Sequence, residues 1–104
     1  MKHLFLLFAL LFLSTQSKII NFETAGAIPD DKTTTTTWKN GGLLNTTLAS
    51  LQPGDTLLIP NKTFYLMGGI KAKNLKQVTI QIDGTIIFSD EASLWPKDSQ
   101  GNVL

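Results

Sequence analysis

The chain has 104 residues, 42% of them hydrophobic, with nine basic and eight acidic side chains and no cysteine. Every basic residue except His3 is a lysine, and the charges nearly cancel, so the clustered positive surface that nucleic acid requires is missing. Without cysteine there is no disulfide framework to hold a small secreted fold together, which leads us to expect that the chain belongs to something larger.

The N-terminus reads as an export leader. Met1-Lys2-His3 is followed by a wholly apolar run from Leu4 to Leu13 and then by Ser14-Thr15-Gln16-Ser17. This is the order of a secretory signal peptide: a positive start, a short apolar core and small polar residues at the cleavage site. Ten apolar residues at about 1.5 Å each cover roughly 15 Å, half the thickness of a hydrocarbon core of about 30 Å. Residues 1–17 are therefore expected to be a signal peptide, with cleavage between Ser17 and Lys18 and an extracellular product spanning 18–104. Once the leader is gone no membrane partner is expected.

Lys18 to Phe22 predicts a short strand, and Ala25 to Asp31 predicts turns. The five threonines Thr33–Thr37 read as a solvated, compositionally biased loop. Leu43, Leu44, Thr47, Leu48 and Leu51 fall on one helical face, predicting a helix of about ten residues. Its cap would be Asn40 or a nearby glycine, Gly41-Gly42 weakens its start, and Pro53-Gly54 stops it. Beyond Pro53 the chain breaks into short β-rich segments: Thr56–Ile59, Thr63–Met67, Ile70–Ala72, Val78–Ile82 and Thr85–Ser89. A shift of about 22 residues pairs Leu58 with Ile80, Asn61 with Asp83, and Thr63–Leu66 with Thr85–Phe88, the self-similarity of a β-solenoid. Asp83-Gly84 equally suits a two-residue hairpin turn, which would give an antiparallel meander instead.

Three blocks in order bear on that choice: Asn21-Phe22 with Gly26-Ala27-Ile28-Pro29-Asp30-Asp31, Pro53-Gly54-Asp55-Thr56-Leu57-Leu58-Ile59-Pro60, and Gln81 to Asp90 followed by Trp95-Pro96. Together they resemble the N-terminal part of family 28 glycoside hydrolases, the polygalacturonases and their relatives, over about Ile19 to Leu104. The resemblance implies an all-β fold, a right-handed parallel β-helix of the pectin-lyase-like type, with an N-terminal capping α-helix over the first few coils. It also implies a pectin-type polysaccharide as partner and hydrolysis of its glycosidic bonds, with carboxylates as acid and base, a supporting His and an Arg-Ile-Lys group for the substrate carboxylate. The threonine tract and Gly41-Gly42 depart from the family pattern.

Those catalytic motifs do not occur in residues 18–104, which hold neither His nor Arg. Asp30-Asp31 lies ahead of the helix and reads as a solvated turn; Asp83 and Asp90 read as turn formers. No catalytic residue, metal ligand or cofactor site is assigned. The final Val103-Leu104 looks like the start of another strand, so the expectation is the N-terminal portion of a polygalacturonase-like domain that is inactive by itself. Two other readings stay open: a non-enzymatic β-solenoid that binds carbohydrate or serves a structural role, and a relative acting as pectate lyase or rhamnogalacturonase. Asn45-Thr46-Thr47 and Asn61-Lys62-Thr63 are N-glycosylation sequons, so Asn45 and Asn61 are candidate glycan sites. Trp95 is expected to pack in a loop, with stacking on a sugar as the alternative.

Overall fold

The computed structural model describes residues 17–102; the apolar leader core and Val103-Leu104 lie outside them. The elements in order are β1 (Ile19–Asn21), α1 (Thr34–Ser50), β2 (Thr56–Ile59), β3 (Thr63–Leu66), β4 (Thr79–Ile82), β5 (Thr85–Phe88) and a 3-10 turn (Ala92–Leu94). Among the described residues no helix is long and apolar enough to cross a membrane.

All the strand pairs are parallel. One sheet has the order β1-β2-β4 and the other joins β3 to β5. Asp83-Gly84 is consequently a bend between strands of different sheets, and the hairpin it could have formed does not occur. Thr63–Leu66 pairs with Thr85–Phe88 at the expected offset of 22. Between β2 and β4 the offset is 23, so Ile80 lies beside Leu57 and not Leu58. The bends explain the extra residue: Pro60-Asn61-Lys62 joins β2 to β3, while only Asp83-Gly84 joins β4 to β5. A one-residue slip would have turned every side chain of β4 to the opposite face. In the observed register like stacks on like, with Leu57 beside Ile80, Ile59 beside Ile82, Phe64 beside Ile86 and Leu66 beside Phe88.

Burial alternates along β2 and β3, where Leu57, Ile59, Phe64 and Leu66 are fully buried. With Phe22, Ala27, the helix residues Leu44 and Leu48, and Leu51 at the helix C-cap they form one core. Ile80, Ile82 and Phe88 follow the same alternation but stay exposed, because β4 and β5 are edge strands with no strand beyond them among the described residues. Phe22 and Phe64 meet edge to face with ring centroids 5.2 Å apart, a preferred geometry for paired rings.

The helix differs from the sequence reading in length and start. It covers Thr34–Ser50, so the threonine tract is its first turn rather than a solvated loop. The cap is Thr33, whose Oγ1 accepts the Thr36 N–H, and Asn40 sits inside the helix. Asp31 supports that start: its Oδ1 accepts the Thr33 N–H at 2.9 Å and its Oδ2 accepts the Thr36 hydroxyl at 2.7 Å. A carboxylate at this end also suits the partial positive charge of a helix N-terminus. The buried face runs through Thr36, Thr37, Asn40, Gly41, Leu44, Thr47 and Leu48, a helical spacing made largely of small or polar residues. Those residues let α1 lie close against the outer edge of β3.

That edge is sealed by hydrogen bonds. The Thr63 carbonyl accepts the Asp30 N–H at 2.8 Å, the Tyr65 carbonyl accepts from Asn40 Nδ2 at 3.1 Å, and Met67 N–H donates to Thr37 O at 3.1 Å. An uncovered strand edge would expose a row of unpaired backbone groups. Ile70–Ala72, expected as a strand, forms none: the Asn45 side chain takes the Lys71 N–H and donates to the Gly69 carbonyl.

The two helix glycines are not equivalent. A Cβ on Gly41 would stand 3.2 Å from the Met67 carbonyl oxygen, whereas one on Gly42 would meet nothing within 4 Å. Gly42→Ala is expected to stabilise the chain by about 0.5–1 kcal/mol through helix propensity, while Gly41→Ala should give no such gain. Denaturant midpoints of the two variants measure the difference.

Candidate functional site

Beside the N-terminal end of α1 the chain forms a half-open groove of about 320 Å³, walled by Tyr65 of β3, Met67 just after it, Ile87 and Phe88 of β5, and residues of the segment from Ser89 to Leu94. The Lys32 ammonium stands over the Tyr65 ring, 5.4 Å from its centroid, within reach of a cation–π attraction. Asp90 and Glu91 are exposed along the same segment. Two indoles fix this wall in place. Trp38 Nε1 donates to the Leu94 carbonyl at 2.9 Å, and Trp95 Nε1 donates to the Ser89 carbonyl at 2.7 Å. Trp95 also packs against Gly68, where any side chain would collide with its ring.

An aromatic face, one cation and two neighbouring carboxylates make a place where a small polar ring could rest, at the lower end of ligand-pocket sizes, about 300–1,000 Å³. Among the described residues no group of His, Cys, Asp and Glu is arranged to hold a metal ion.

The acidic residues singled out from the sequence are dispersed. Asp30 is exposed, at a left-handed φ of 59°, with its N–H on β3. Asp31 serves the helix start, and the Thr33 N–H and Thr36 hydroxyl hold its carboxyl below the usual carboxylate range. Asp83 is exposed and accepts both its hydrogen bonds from Gln81 Nε2. Asp90 is exposed at a bend beside the groove. Trp95 is half-buried, hydrogen-bonded to the Ser89 carbonyl and packed against Gly68.

Sequence reasoning missed Lys32, Tyr65 and Phe88 as a set. They are separated along the chain and carry no motif; only the parallel register of β3 and β5 brings two of them together. It also missed the burial of Asp55, which enters the sequence reading only as part of the block Pro53–Pro60.

The two sequons have different surroundings. Asn61 is exposed in the bend between β2 and β3. Asn45 is half-buried in α1, with both ends of its amide engaged by the Gly69–Lys71 backbone. A bulky hydrated glycan suits the first position and would disturb the second. Secreted protein is expected to carry one N-glycan, at Asn61. Peptide N-glycosidase should give a single mass step that Asn61→Gln abolishes and Asn45→Gln leaves unchanged.

Comparison of the chain with family models, with curated proteins and with solved structures finds no match.

Proposed function

We propose that the chain is the N-terminal, stack-initiating part of a secreted polygalacturonase-type parallel β-helix, exported by residues 1–17. Its role in that reading is to close one end of the stack and present the layer on which the next coil is laid. The observation supporting it most is the pairing of β2 with β4 and of β3 with β5, parallel and in register, beneath a helix that seals the edge of β3. Stacked coils of this kind bury their inner faces only against neighbours. The ordered sequence blocks around Asn21, Pro53 and Gln81 point the same way.

Pectin hydrolysis would then reside in residues other than these. Inverting hydrolysis needs a carboxylic acid and a carboxylate base held across the scissile bond. Here Asp31 is committed to the helix start, and Asp30, Asp83 and Asp90 occupy exposed bends. The purified secreted chain is expected to release no reducing ends from polygalacturonate above background. Turnover that Asp83→Asn or Asp90→Asn abolishes would show that the active site is in this chain after all.

Reading the transcript past the Leu104 codon tests the family assignment. Asn-Thr-Asp, Asp-Asp, Gly-His-Gly and Arg-Ile-Lys in that order would support the polygalacturonase reading. Clustered aspartates with a lone arginine would favour a calcium-dependent lyase. Neither pattern would favour a binding protein, for which the groove beside Tyr65 is the candidate surface.

A further inference from the structure

Asp55 is only 2% exposed and lies in the turn that leads into β2. Both nitrogens of Lys18 converge on its carboxylate. The main-chain N–H of Lys18 donates to Oδ1 at 3.2 Å, and Nζ pairs with Oδ2 at 3.1 Å. The Gln52 N–H also donates to Oδ2, at 2.9 Å. Lys18 is fixed from its other side by the Thr56 N–H, which donates to the Lys18 carbonyl at 2.9 Å. A buried carboxylate is costly unless it is fully compensated, yet the one cation here belongs to a lysine side chain that is 58% exposed. The nitrogen closest to Oδ1 is a neutral amide only while Ser17 remains attached to it.

We propose that Asp55 is the binding site for the α-ammonium group created when the chain is cleaved between Ser17 and Lys18. The inference rests on the secreted reading above and adds to it a destination for the new terminus. In the hydrolysis, water adds its oxygen to the Ser17 carbonyl carbon, the bond from that carbon to the Lys18 nitrogen breaks, and the nitrogen leaves as an amine. At neutral pH that amine takes up a further proton and becomes a cation already within hydrogen-bond reach of Oδ1. Little rearrangement is needed, because β1 and Asp55 already hold the nitrogen there. The carboxylate is ready to receive it: the Gln52 N–H first, and then Lys18, hold Asp55 below the usual carboxylate range. Cleavage thereby turns an amide hydrogen bond into a second ion pair, and the folded state gains from processing.

An α-ammonium beside a carboxylate has a raised pKa, above the ordinary range of about 7.7–8.0. Lys18 Nζ opposes the rise as a like charge, and the segment 67–78, which the Gly54 N–H meets at the Gln77 carbonyl, has Lys71, Lys73 and Lys76 as its charged residues and no acid. A group whose folded pKa is raised stabilises fully below its unfolded pKa and loses that contribution as pH rises through the folded one. Processed protein should therefore lose stability above about pH 8, over a range where a neutral amide has nothing to titrate.

The test uses the full chain, isotope-labelled and secreted from a eukaryotic host, with its first residue identified and its α-amine titrated by NMR. The expected product begins at Lys18, with the α-amine raised by about one unit or more, tenfold in proton affinity. Asp55→Asn should return it to the ordinary range. Should that variant fail to fold, Lys18→Gln decides: it keeps the α-amine, removes the competing Nζ charge, and should titrate at least as high as the parent. An α-amine of ordinary pKa in the parent or in Lys18→Gln overturns the proposal while leaving secretion intact. A product that begins elsewhere overturns it through the cleavage site, and a chain that is not exported overturns it through the secreted reading.

Discussion

Replacing Phe64 with alanine is expected to lower the unfolding free energy by about 3–5 kcal/mol, the cost of removing a buried phenylalanine and leaving a cavity. Phe64 is fully buried, meets Phe22 edge to face, and lies beside Ile86 in the next layer. It therefore links three segments that are far apart in sequence. A domain of this size is held by roughly 5–15 kcal/mol in total, so the loss would remove a large part of the margin. Phe64→Leu retains most of the apolar volume and should cost markedly less. Denaturant unfolding of the two variants against the parent provides the comparison. Equal losses would mean that the Phe22–Phe64 contact, and not the filled volume, sets the stability.

Asn40→Ala is the second large effect, and its cause is polar. Asn40 is fully buried within α1, where its Oδ1 accepts the Ile28 N–H at 3.0 Å and its Nδ2 donates to the carbonyls of Ile28, at 2.9 Å, and Tyr65, at 3.1 Å. Truncation strands three backbone groups at once. Buried groups left without a partner cost about 1–3 kcal/mol each where water cannot replace the bond, and alanine's better helix propensity returns only a few tenths, so a net loss of about 2–4 kcal/mol is expected. Asn40→Asp should do no better, since it sets a carboxylate against two carbonyl oxygens. Thermal melts of both, alongside Asn45→Ala in the more exposed part of the same helix, check that the loss is specific to position 40.

These two residues also mark how far the sequence could be read. Phe64 lies in Thr63–Met67, which reads as a β-rich segment between turns, and the structure forms a strand over Thr63–Leu66 of it. The segment Thr56–Ile59 is likewise found as β2, although its run of Leu57, Leu58 and Ile59 does not by itself show which side chains face inward. Asn40 was noticed too, but as a helix cap, because asparagine before a leucine-rich face usually marks a start. The real start, Thr33, was hidden inside five threonines whose propensity argues for a loop. Their helix exists because Thr36, Thr37 and Gly41 are small enough to bring α1 onto β3, a tertiary cause that no local window contains. Periodicity near 22 was visible, but the step to 23 between β2 and β4 depends on the different lengths of two bends. The groove beside Tyr65 left no trace in the sequence, since Lys32 reaches it only after α1 and β3 are in place.

The order of strand pairing has a consequence for how the chain is made. β2 joins β1, β4 joins β2, and β5 joins β3, while the other edge of β3 is closed by residues 30–40. Of the described strands, each one after β1 thus meets an earlier segment as it is made, β3 docking on residues 30–40 until β5 arrives, and β1 alone waits for its partner. Parallel sheets are slow to form when their strands must search a whole chain for one another. Here the search is limited to segments already made, and assembly can keep pace with emergence from the N-terminus onward.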